Sequence, residues 1–132
     1  MNKLKAALEQ DTYAVVGAST TKSKYGYKVF KTLTDYDDNI VYPVNPQAEE
    51  IDGVKCYDQL ADIPEQIDVA VTVVPPKVTK KIVEQVADLK IDFLWMQPGS
   101  EFDNAKEQGA KRGIDVITDD CIMVQMRRKH NN

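Results

Sequence analysis

Apolar positions follow two spacings along this chain, and they alternate. Short continuous runs at residues 12–16, 40–44, 67–74, 91–96 and 114–117 predict strands. Between them, apolar residues recur three and four apart, the spacing of one helix face. Leu4, Ala7 and Leu8 predict a helix over residues 2–10; Val29, Phe30 and Leu33 predict another from Gly26 to about Tyr36. Val78, Ile82, Val83, Val86 and Leu89 predict a third after Pro75-Pro76, where Pro76 suits a first helical turn. The run at residues 67–74 is apolar almost throughout, as a strand covered on both faces requires. Asp52-Gly53 between Ile51 and Val54 predicts a small hairpin or hooked loop. Asp58 is expected to cap a short helix through Leu60 and Ala61. Ser100 or Asp103 is expected to cap a helix reaching about Arg112, with Gly113 ending it. Asp119-Asp120 precede a last short helix over residues 121–128, and one of them is expected to cap it.

Five strands alternating with helices predict an α/β fold. The expected architecture is a Rossmann-like, doubly wound, five-stranded parallel sheet with helices on both faces. At 132 residues the chain is expected to form a single domain over residues 1–132. Open parallel sheets take ligands beyond the carboxyl ends of their strands. That rule selects residues 17–26, Asn45-Pro46, Pro75-Pro76-Lys77 and Gln97-Pro98-Gly99. Three of these segments carry proline, so the rim is expected to be stiff.

Charge sharpens the picture at one of these segments. The net charge of −4 argues against a nucleic-acid surface. Yet residues 12–34 contain no Asp or Glu and do contain Lys22, Lys24, Lys28 and Lys31. Gly17 turns the chain at the end of a strand, Ser19, Thr20 and Ser23 offer hydroxyls, and the following helix start favours an anion. A phosphorylated ligand fits this loop. An ordinary NAD site does not: Ser19 stands where a second glycine belongs, and Val44-Asn45-Pro46 stand where an acid for the ribose belongs. Asp37 and Asp38 lie before that second strand, at its wrong end.

Reactive chemistry is sparse. Cys56 and Cys121 form no paired motif and His130 is the lone histidine, so no metal site is expected. Asp119, Asp120 and Cys121 follow the last strand, but their expected roles are capping and packing, and no catalytic residue is assigned. The longest apolar run falls far short of the roughly 20 residues that span a bilayer. No secretory segment follows Met1, and a cytoplasmic protein is expected.

Gly17-Ala18-Ser19, Tyr42-Pro43-Val44-Asn45-Pro46, Ile51-Asp52-Gly53, Pro75-Pro76, Trp95-Met96-Gln97-Pro98-Gly99 and Asp120-Cys121-Ile122 occur in that order. In this the chain resembles the small stand-alone CoA-binding proteins, whose fold is similar to the CoA-binding domain of the succinyl-CoA synthetase α subunit. The resemblance implies coenzyme A or acyl-CoA as ligand, bound without catalysis. It implies that Gly17, Ala18, Ser19, Thr20 and Lys22 meet the CoA phosphates. Val44, Asn45 and Pro46 would border the adenosine. Val74, Pro75 and Pro76, with Lys77 nearby, would line the middle of the cleft, and Met96, Gln97 and Pro98 would approach the pantetheine arm. Two alternatives stay open: an NAD(H)-binding sensor or NAD-dependent enzyme on the same fold, and a protein-interaction module with a vestigial cleft. A homodimer or another protein partner is also left open.

Overall fold

In the computed structural model, which describes residues 2–36 and 38–131, each apolar run is a strand of one sheet. Asp37 lies outside the described residues. The sheet strands are β1 (Thr12–Val16), β2 (Ile40–Val44), β5 (Val69–Thr72), β6 (Phe93–Met96) and β7 (Asp115–Ile117). Their order is β2-β1-β5-β6-β7, and every neighbouring pair is parallel. After β1 the chain builds outward to β2, then returns to place β5 on the other side of β1. The order therefore reverses between β1 and β5, where a crevice forms at the carboxyl edge. This is a Rossmann-like α/β sheet.

Side-chain alternation assigns the two faces. Tyr13 and Val15 point to one face, with Val71 and Trp95, under helices α1 (Lys3–Leu8), α2 (Tyr25–Asp35) and α5 (Ile122–His130). Ala14 and Val16 point to the other, with Ala70, Leu94 and Met96, under α3 (Pro76–Asp88) and α4 (Ala105–Ala110). Burial on both faces explains why the strands read as unbroken apolar runs. Strands β3 (Glu50–Ile51) and β4 (Val54–Lys55) form the expected antiparallel hairpin, turning through Asp52 and Gly53 at φ 51° and 80°. The Tyr27 hydroxyl donates to Asp52 Oδ2 at 2.6 Å, tying the hairpin to α2.

Several ends differ from the sequence expectation. The third sheet strand is shorter at both ends, Val69–Thr72, although the Val73 N–H still donates to the Val16 carbonyl at 2.8 Å before Pro76 starts α3. Neither Ser100 nor Asp103 caps α4: Asn104 precedes it in a left-handed conformation, φ 64°, with no side-chain cap. Asp58 does not cap the 3₁₀ turn Leu60–Asp62, which Gln59 precedes uncapped. Asp119 and Asp120 do not cap α5 either. The Ile122 N–H instead donates to Gln97 Oε1 at 2.7 Å. The Asp120 carboxylate accepts from Gln125 Nε2, and its carbonyl accepts from the buried Trp95 indole at 2.8 Å. Among the described residues no helix is long and apolar enough to cross a membrane.

Candidate functional site

The carboxyl edge is organised by two glycines, for different physical reasons. Gly17 has φ 96°, a conformation that L side chains rarely adopt. A Cβ there would also run into the Val73 carbonyl and lie 2.7 Å from Val74 Cγ1. Gly26, in the first turn of α2, faces the Gly17 carbonyl so closely that a Cβ would overlap it. Helix α2 thus starts hard against the turn. No acidic residue and no side-chain cap occupies its first turn, which leaves its backbone N–H groups and dipole facing the loop.

Asn45 binds the second strand end to this turn. Its Nδ2 donates to the Ala18 carbonyl at 2.8 Å, and its Oδ1 accepts from the Gln47 N–H at 2.8 Å. The Gly17 N–H donates to the Val44 carbonyl at 3.0 Å. Ser19 Oγ accepts from the Thr21 N–H at 3.0 Å, which shapes the loop from within. Of the lysines, Lys31 pairs with Asp35 at 2.9 Å, and this carboxylate raises its pKa. The positive end of the acid-free stretch therefore rests on Lys22, Lys24 and Lys28, all exposed.

Two clefts open along this edge and share Val74. The larger, about 570 Å³, is lined by Val74, Pro75, Pro76, Gln97 and Pro98 of the expected site, and also by Tyr25, Gly99, Ser100 and Cys121. The smaller, about 310 Å³, is lined by Gly17, Val44, Asn45 and Pro46 of the expected site, together with Asp58, Gln59 and Val78. Thr20, Lys22 and Lys77 are exposed and Ser19 is half-buried, and none of them lines either cleft. Ala18 and Met96 are fully buried in the two cores. For Met96 this leaves no side-chain surface for a ligand; Ala18 contributes its carbonyl to the Asn45 clasp.

Gln97 and Cys121 meet at the inner end of the larger cleft. Gln97 is 4% exposed, and its amide is oriented by the Ile122 N–H on Oε1, which turns Nε2 toward Cys121 Sγ at 3.4 Å. Cys56 is the contrasting thiol. It is buried, its Sγ rests on the Asn45 carbonyl, and burial pushes its pKa up. At the cleft mouth Tyr25 is 67% exposed, and Lys28 Nζ lies 5.7 Å from its ring centre. Val78, at the smaller cleft, is another exposed large apolar side chain. Apolar surface left open beside a cleft is what a ligand would cover.

Tyr25, Ser100, Gln59 and Cys121 were not among the expected binding residues. Cys121 and Ser100 did carry a local signal, Cys121 by following the last strand and Ser100 by following Gln97-Pro98-Gly99, but the sequence assigns them to packing and capping; Gln59 reaches the cleft without one. Among the described residues no group of three or more His, Cys, Asp or Glu is placed to hold a metal ion.

A parallel sheet with paired clefts at its switch point defines the class of Rossmann-like ligand-binding domains. Residues 11–127 match the family described as the CoA binding domain, and the chain belongs to that family. It is 42% identical over 117 residues to an ADP-forming acetate–CoA ligase of Methanocaldococcus jannaschii, covering 83% of this chain and 16% of the ligase. It is 30% identical over 111 residues to the uncharacterized protein YneT of Bacillus subtilis, covering 84% of this chain and 82% of that one. A hypothetical protein from Pyrococcus horikoshii has the same fold, with a TM-score of 0.89 at 32% identity over 95% of this chain and 88% of its own.

Proposed function

We propose that this chain binds coenzyme A or acyl-CoA at the carboxyl edge of its sheet and performs no chemistry of its own. The nucleotide end sits in the smaller cleft, beside Gly17, Asn45 and Pro46. The phosphates follow the turn at residues 17–22, near Ser19, Thr20 and Lys22, with Lys77 across the rim. The pantetheine arm runs over Val74 into the larger cleft, along Pro75, Pro76 and Pro98 toward Gln97. The observation that carries this reading is the pair of clefts meeting at Val74 beside an open helix start. Their sizes suit a small-molecule site, about 300–1,000 Å³. Membership of the CoA-binding family supports the same ligand. The ligase match spans 16% of that enzyme, so its reaction does not transfer with the match. The reading takes residues 1–132 as one domain of the cytoplasm, in keeping with two free thiols.

Isothermal titration with CoA, dephospho-CoA and NAD tests it. Saturable CoA binding, weaker for dephospho-CoA and weaker still for NAD, is expected. No heat at millimolar CoA removes the reading, and NAD binding tighter than CoA moves the site to a dinucleotide. Ser19→Glu is expected to abolish CoA binding, because a carboxylate then stands in the phosphate turn. Unchanged affinity in that variant places the phosphates elsewhere.

A chemical footprint gives a separate check. Iodoacetamide is expected to modify Cys121 well before Cys56, which is 6% exposed and whose pKa burial raises. Saturating acetyl-CoA, which has no free thiol to consume the reagent, is expected to slow the Cys121 reaction several-fold, followed by peptide mass spectrometry. A Cys121 rate indifferent to acetyl-CoA would mean that the arm does not enter the larger cleft.

A further inference from the structure

Ser100 lines the larger cleft, although the sequence points to it as a helix cap. Its hydroxyl belongs to a chain of three. Ser100 Oγ donates to Thr72 Oγ1 at 2.8 Å and lies 2.8 Å from Thr79 Oγ1. Thr72 ends β5, Thr79 lies in the first turns of α3, and Ser100 follows β6, so the three join the segments that wall the cleft. Thr72 and Thr79 are fully buried, Ser100 is 2% exposed, and of the three only Ser100 lines the cleft.

Proton bookkeeping assigns the direction of these bonds. A hydroxyl has one proton and two lone pairs. Ser100 gives its proton to Thr72, so Thr79 donates to Ser100 at 2.8 Å, a nearer acceptor than the Pro75 carbonyl that its hydroxyl also meets at 3.5 Å. Ser100 is left with one lone pair and no proton, and toward a ligand it acts only as an acceptor. Pro75, Pro76 and Pro98 bring no N–H donor to the wall, the Pro75 carbonyl already accepts from the Val78 and Thr79 N–H groups, and both ends of the Gln97 amide are held by Ile122 and Cys121. A ligand N–H desolvated in this apolar cleft needs an acceptor, or its burial is unfavourable.

We propose that Ser100 is a specificity-determining residue of the larger cleft: its hydroxyl accepts a secondary-amide N–H from the ligand arm. The proposal rests on the CoA reading and deepens it, since pantetheine carries two such amides and the nucleotide end carries none. The cleft then selects an amide-bearing arm over a plain alkyl chain of equal length.

The test compares CoA with adenosine 3′,5′-bisphosphate, which keeps the nucleotide and lacks the arm. The readout is the ratio of their dissociation constants by titration calorimetry, in wild type, Ser100→Ala, Ser100→Cys and Thr79→Val. Loss of one neutral hydrogen bond is expected to lower the preference for CoA by roughly fivefold in Ser100→Ala, with bisphosphate affinity unchanged. Ser100→Cys, close in size and a weak acceptor, is expected to show the same loss and stands in if the alanine variant fails to fold. Thr79→Val keeps the Ser100 lone pair, so it is expected to lower the melting temperature while keeping the ratio. An unchanged ratio in both Ser100 variants overturns the proposal and leaves the CoA reading standing. Equal losses in Thr79→Val and Ser100→Ala also overturn it, since the hydroxyls would then only brace the wall. A wild type that binds bisphosphate but shows no preference for CoA removes the arm from the cleft, and with it this role.

Discussion

Gly26→Ala is expected to abolish CoA binding and to cost the fold about 3 kcal/mol, the upper range for overpacking a well-fitted contact. The reason is not conformational, since Gly26 lies in regular helix. An added Cβ would overlap the Gly17 carbonyl oxygen and lie 3.3 Å from Ala18 Cα. Neither atom can retreat. The Gly17 N–H is held on Val44, and the Ala18 carbonyl is held by Asn45. The helix must therefore move, and Val29, Phe30 and Leu33, each 1% exposed or less, move with it. The same shift withdraws the open helix start from the phosphate turn. Urea denaturation and CoA titration of the variant check both parts. A wild-type midpoint with wild-type affinity would show that the helix and the turn are not in hard contact. Gly17→Ala tests the other side of this contact, with the strain of φ 96° added.

Gln97→Ala is expected to cost about 2 kcal/mol, because the Ile122 N–H loses its acceptor in a buried place. Among the described residues no other side chain caps the start of α5, and Cys121 there makes no side-chain cap bond. Ile122, Met123 and Met126 pack that helix onto the sheet, so a loosened start is felt in the core. The expected signature is a lower melting temperature together with faster alkylation of Cys121, which loses its amide neighbour. An unchanged melting temperature would mean that α5 docks through its apolar face alone.

The two variants mark the boundary of what could be read in advance. Gly17 was legible, because a glycine directly after a strand of Tyr13, Val15 and Val16 announces a turn that other residues resist. Gly26 is legible as the start of a helix, but its role depends on the Gly17 carbonyl it touches across the turn. Pro75-Pro76 and Pro98 were legible as a rim and do line the larger cleft. The family resemblance drawn from residues 17–19, 42–46 and 120–122 agrees with the match over residues 11–127. Asp58, Ser100, Asp103, Asp119 and Asp120 sit at the right local offsets, yet none caps its helix. The acceptor that does cap α5 comes from Gln97, 25 residues away.

The chain alone determined the strands, the helices, their alternation and hence the parallel sheet with its ligand edge. Those features follow from short unbroken apolar runs alternating with apolar residues spaced 3.6 apart, patterns that are displayed locally in the sequence. Tertiary structure decided what the edge contains: two clefts sharing Val74, Met96 withdrawn into the core, Tyr25 and Cys121 brought to the larger cleft, and Ser100 joined there to the Thr72 and Thr79 hydroxyls. These depend on which atoms meet after the strands pair and the helices dock. Hydrogen-bond partners are then chosen by distance in space, and the nearest capping residue in sequence has no advantage.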